Sequence, residues 1–170
     1  MTANYKNSIS ALLLLSCVLL GALVPGGSIE TRNFSHINPF VLACFNIFLT
    51  LLAMISILVV YYLLQDVYWA YTVTTFCGVA YFLVYILDLA GIFPVSPNPM
   101  SQILFTVEVV GLNLSLPLIF LSIKKLSLLN SLPEKRTRQF YSRRFVYFAC
   151  FLCIVSLGVV IFATKSAMGM

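Results

Sequence analysis

Residues 39–93 read PFVLACFNIFLTLLAMISILVVYYLLQDVYWAYTVTTFCGVAYFLVYILDLAGIF. Asp66 and Asp88 are the only charged residues in this stretch, and Gln65–Asp66 is the one place where two strongly polar residues stand together. A helix needs about 20 apolar residues to cross a bilayer. Each half exceeds that length, so the stretch predicts two spans, Pro39 to Leu64 and Val67 to Phe93, joined by a very short turn. Asn38–Pro39 is a good helix start, because asparagine caps free amides and proline is preset for the first turn.

The same pattern extends outward in both directions. Ser8 to Val24 is a first apolar span, closed by Pro25-Gly26-Gly27, which cannot continue a helix cheaply. It reads as a span in preference to a cleaved leader, since the run is long and no small-x-small site ends it. Pro94-Val95-Ser96-Pro97-Asn98-Pro99 breaks the chain rigidly, and Asn98–Pro99 repeats the start signal for a fourth span, Met100 to Ile123. Pro117 inside it should kink the helix. Ser131-Leu132-Pro133-Glu134 is a capping box, which predicts a helix that begins near Leu132 and runs on through a fifth span, residues 143–164. The fold class is therefore an all-α polytopic transmembrane helix bundle of five spans, forming a single integral membrane domain over residues 1–170.

Composition agrees. The chain is 61% hydrophobic and 9% charged, against about 25% charged in soluble domains. Its charge is concentrated in one place. Lys124, Lys125, Lys135, Arg136, Arg138, Arg143 and Arg144, with Glu134, give the window 124–144 a charge of +6, whereas the rest of the chain carries −1. Such a cluster marks a cytoplasmic segment, here residues 124–142. It places the N-terminus inside and the C-terminus outside, in the plasma or inner membrane. The seven bases are expected to contact anionic lipid head groups and not nucleic acid. Tyr61, Tyr62, Tyr68, Trp69 and Tyr71 gather at the expected inner boundary, where amphipathic rings prefer to lie.

Residues three and four apart share a helix face. Thr74, Gly78, Tyr81, Tyr85 and Asp88 form one stripe; Ser101, Glu108, Gly111, Ser115 and Ser122 form a second; Ala43, Asn46, Thr50 and Ala53 form a third. Small and polar side chains are what helices in lipid turn toward one another. At 1.5 Å per residue, Asn46 and Glu108 lie roughly 10 Å below the expected outer face and Asp88 roughly 7 Å below it, with Asn113 deeper. These four form an expected intramembrane polar layer. Above it hangs the loop 25–38 with Glu30, Arg32 and the only histidine, His36. An ionised carboxylate in lipid costs about 2.5–3.5 kcal/mol on insertion scales, so Glu108 and Asp88 must be protonated, paired or hydrated. One reading is a proton-responsive or cation-binding pocket. The other is plain interhelical hydrogen bonding, with Arg32 folded down as counter-charge.

Other constellations are weak. Cys150-Phe151-Leu152-Cys153 matches C-x-x-C, but the expected external segments hold no cysteine, and the five cysteines are odd in number and lie in apolar spans. A lone histidine excludes a bis-histidine haem and makes a zinc site improbable. No cofactor or metal is expected, and no catalytic residues are assigned. Three functions compete. The first is a non-enzymatic accessory component that packs against partner helices or a second copy. The second is a small oligomeric transporter or proton- or cation-linked binding protein using Glu108 and Asp88. The third is a membrane-embedded enzyme acting on a lipid or quinone.

Overall fold

The computed structural model describes residues 2–130 and 143–168. They form five helices and no strand: α1 (Thr2–Ala22), α2 (Pro39–Leu64), α3 (Tyr68–Leu89), α4 (Gln102–Asn130) and α5 (Arg143–Ala167). All five are long and apolar enough to cross a membrane.

Local chemistry sets the ends. Asn38 accepts a hydrogen bond from the Phe40 amide at 2.9 Å, with Pro39 opening α2. Asp66 makes the α2–α3 turn by adopting a left-handed φ of 59°, a conformation that Asp tolerates better than most residues. The expected span to Phe93 ends earlier, at Leu89. Gly91 takes φ 64°, and the amides of Gly91 and Ile92 return to the carbonyls of Asp88 and Leu87, which closes the last turn. Ser101, not Asn98, caps α4: its hydroxyl accepts from the Leu104 amide at 3.2 Å. α4 runs through Pro117 and on to Asn130, past the expected end at Ile123, because no glycine or proline stands between Ile123 and Asn130. Lys124 and Lys125 thus lie on a helix. The capping box at Ser131–Glu134, and the helix expected to start there, lie outside the described residues.

Packing is uneven. α3 packs most extensively on α4, α1 lies against α2 and α4, and α2 contacts α3. These four surround a core that includes Leu13, Leu63, Tyr71, Tyr81, Tyr85 and Leu118. Two glycines let α3 and α4 approach closely: a Cβ on Gly111 would lie 2.5 Å from the Tyr85 ring, and one on Gly78 2.8 Å from Ile119 Cγ1. Among the described residues, α5 packs against α2 and no other helix. Its far end is tied to the α1–α2 connection, where the Phe34 amide donates to the Ala167 carbonyl at 3.3 Å and Gly26, at φ 85°, leaves room only for Ser166. The bundle therefore has a loop end, carrying residues 23–38 and 90–101, and an opposite basic end.

Candidate functional site

The α1–α2 connection folds onto the loop end and brings Arg32 inward. Its side chain is 6% exposed and grips two carboxylates. Nη1 and Nη2 donate to Asp88 Oδ1 and Oδ2 at 2.7 and 2.8 Å, a bidentate pair with α3. Nε and Nη2 donate to Glu30 at 2.9 and 2.6 Å, and the Arg32 amide donates to the same carboxylate. The guanidinium also lies over the Phe34 ring, 5.3 Å from its centroid. Burial disfavours the charged guanidinium, but the bonds and charges of Asp88 and Glu30 outweigh it and hold the proton more tightly than in water.

The third carboxyl is treated differently. Glu108 of α4 is 1% exposed, and its nearest cation, Arg32 Nη2, stands 3.7 Å away. Neither of its oxygens has a partner at hydrogen-bond distance, and neither does the buried hydroxyl of Tyr85, although the Asp88 carboxyl stands near enough for the two to share a proton. One guanidinium thus serves three carboxyl groups, and with all of them ionised the cluster carries −2. Glu30, Arg32, Asp88, Glu108, Tyr85 and Asn46 line one cavity of about 40 Å³. A cavity needs at least about 10–15 Å³ to hold a water, so it admits a water or a compact cationic group.

Asp88, Glu108 and Asn46, grouped by depth in the sequence, line this one cavity. Asn46 is committed elsewhere, donating to Thr164 Oγ1 of α5 at 3.3 Å. Asn113 is a correction: it is exposed on the outer surface of α4, and its amide donates to the Val109 carbonyl at 2.7 Å. Leu104, Glu108, Gly111, Ser115, Leu118 and Ser122 are the buried face of α4, and a residue five places from Glu108 points well away from it. His36 is exposed and makes no part of the cluster.

The basic end holds a second, separate ion pair. Lys125, expected to touch lipid head groups, is instead 3% exposed and sits 3.0 Å from Asp66 Oδ1. Its ammonium also lies 5.6 Å from the centroid of the Tyr71 ring, and Tyr71 donates to Asp66 at 2.5 Å. Burial favours the neutral form of Asp66, but Tyr71 and Lys125 outweigh it and hold the carboxyl below its usual range. Lys125 faces inward because α4 continues as a helix there, on the same stripe as Leu118 and Ser122. Lys124 is exposed, with its ammonium 5.5 Å from the Tyr5 ring centroid, and Arg143 is exposed. Lys135, Arg136 and Arg138 lie outside the described residues, as does the side chain of Arg144.

Sequence reasoning gave no sign of a larger crevice beside the charged cavity. It measures about 290 Å³ and lies between α1, α2 and α5. It exists because α5 leans on α2 alone.

Fold and site define the chain as a bundle of five membrane-length helices with a buried arginine–carboxylate cluster at its loop end. Residues 5–140 match the family described as Domain of unknown function (DUF8051), and the chain belongs to that family. The match contains α1 to α4 almost whole, with Glu30, Arg32, Asp88 and Glu108, and stops before α5. No curated protein and no solved structure matches the chain.

Proposed function

We propose that the protein is an integral membrane protein that binds a proton or a compact cation at Glu108, as a small proton- or cation-linked binding protein. The observation that carries this reading is the unsatisfied Glu108 carboxyl, one of three carboxyls that share one guanidinium. A low-dielectric interior penalises an uncompensated charge severely, so positive charge taken up there is strongly favoured. With the basic segment in the cytoplasm, the cluster faces the outer side of a plasma or inner membrane.

The test is thermal unfolding in lipid nanodiscs. A ligand that binds only the folded state raises its stability by mass action. Acidification from pH 8 to 5, or methylammonium chloride at pH 8 with potassium chloride as the ionic-strength control, should raise the melting temperature of the wild type. Glu108→Gln should remove both responses. A wild type indifferent to both, or a Glu108→Gln variant that keeps them, sinks the reading.

A second reading, an accessory component that docks partner helices or another copy, is favoured by α5. Its most apolar 18-residue window contains no buried residue.

A further inference from the structure

We infer that the crevice and the charged cavity form one site for a long-chain amine, with the hydrocarbon in the crevice and the ammonium at Glu108. This rests on the reading of Glu108 as a cation site and names the class of ligand that site takes.

The two spaces are neighbours. Leu20, Leu23 and Pro25 from α1 and the chain beyond it, and Asn46 and Leu49 from α2, line both of them. A ligand reaching from one to the other passes only this shared wall. The crevice is large enough for a chain. Its 290 Å³ is on the order of ten water-sized units, and a dry apolar cavity of about 150 Å³ is known to bind benzene. Its walls are apolar along most of their length, with Ala53, Met54 and Ile57 of α2 facing Leu152, Val155 and Val159 of α5. No side chain of α1 fills it at Gly21, where a Cβ would have no neighbour within 4 Å.

The head group follows from charge and size. Arg32 has already committed Nε, Nη1 and Nη2 to Glu30 and Asp88, so it offers little to a phosphate or carboxylate, and three carboxyls repel one. A neutral head leaves the excess negative charge in place. A protonated amine supplies the missing charge in the small cavity and three donors, which the orphaned Glu108 oxygens can accept. Among the described residues, no group of three or more His, Cys, Asp or Glu side chains is arranged to hold a metal ion, which favours an ammonium over a metal cation.

The experiment compares decylamine, decanol and decanoate on the full chain in nanodiscs, reading melting temperature and bound mass by native mass spectrometry. Decylamine should raise the melting temperature saturably, at concentrations at least tenfold below those needed for methylammonium, and decanol and decanoate should not. Gly21→Leu projects a side chain into the crevice from a position with open space. It should abolish the tenfold advantage of decylamine while leaving the acid and methylammonium responses intact. Ala53→Leu fills the same crevice from α2 and should do the same. If both variants keep the decylamine advantage, or if decanol or decanoate matches decylamine, the inference is overturned and the cation site at Glu108 stands. Loss of every response, methylammonium included, in the wild type overturns the underlying reading as well.

Discussion

Replacing Arg32 with glutamine removes the only cation from a cluster of three carboxyls. The side chains of Arg32, Asp88 and Glu30 are 6%, 13% and 4% exposed, so bulk water is kept from the carboxyls, and a water in the small cavity brings no positive charge. Four contacts of 2.6–2.9 Å disappear together. Removing one partner from a buried ion pair costs about 3–5 kcal/mol, and that range is expected here at pH 7. The loss should shrink as pH falls. The carboxyls released from Arg32 take up protons, each pH unit recovering up to about 1.4 kcal/mol per group, while Arg32 in the wild type stays charged throughout. Adding Asp88→Asn to Arg32→Gln should recover at least about 1 kcal/mol, because directly bonded residues couple by roughly 0.5–3 kcal/mol. Denaturant titration in mixed micelles, followed by tryptophan fluorescence at pH 7 and pH 5, measures all three quantities. An Arg32→Gln variant within about 0.5 kcal/mol of the wild type at pH 7 behaves like an ordinary surface substitution. That result would refute the claim that the cluster depends on its one cation.

Two further outcomes follow from packing and orientation. Gly111→Ala drives a Cβ to within 2.5 Å of the Tyr85 ring and should cost about 1–3 kcal/mol, whereas Gly158→Ala, whose Cβ would meet nothing within 4 Å, should be neutral or slightly stabilising in the same unfolding assay; equal costs at the two sites would contradict the close α3–α4 contact. On the proposed orientation, a membrane-impermeant thiol reagent should label Ser28→Cys in intact cells and leave Ser127→Cys unlabelled, and the reverse pattern would turn the site toward the cytoplasm.

Much of the architecture is legible because lipid-length apolar runs and proline breaks are local signals. Pro39, with its Asn38 cap, marks its helix start directly. The inward stripe on α3, from Thr74 through Tyr85, follows from periodicity alone. The errors share a cause. Depth groups Asn113 with Glu108, but face decides, and α4 turns Asn113 away from Glu108. Composition groups Lys125 with the basic cluster, but its helix continues and aims it at Asp66. The convergence of Arg32 was legible only as one of two alternatives, because a loop's path across the bundle depends on long-range contacts such as Phe34 with Ala167. The crevice has no sequence signature at all. It results from how α5 rests on α2 without reaching α1.

The counter-ion sits on the connection between α1 and α2, while two of its partners sit on α3 and α4. In a chain inserted helix by helix, Arg32 is made first and waits without Asp88 or Glu108. If the two acidic helices enter a bilayer before pairing, each ionised carboxylate carries an insertion penalty of about 2.5–3.5 kcal/mol. Arg32 meets Asp88 and Glu108 only when α3 and α4 have closed on the α1–α2 connection, and even then its single charge offsets one carboxylate of three. On that order of insertion the cluster would serve as a checkpoint on assembly: a bundle lacking α3 or α4 would leave Arg32 without that helix's carboxyl.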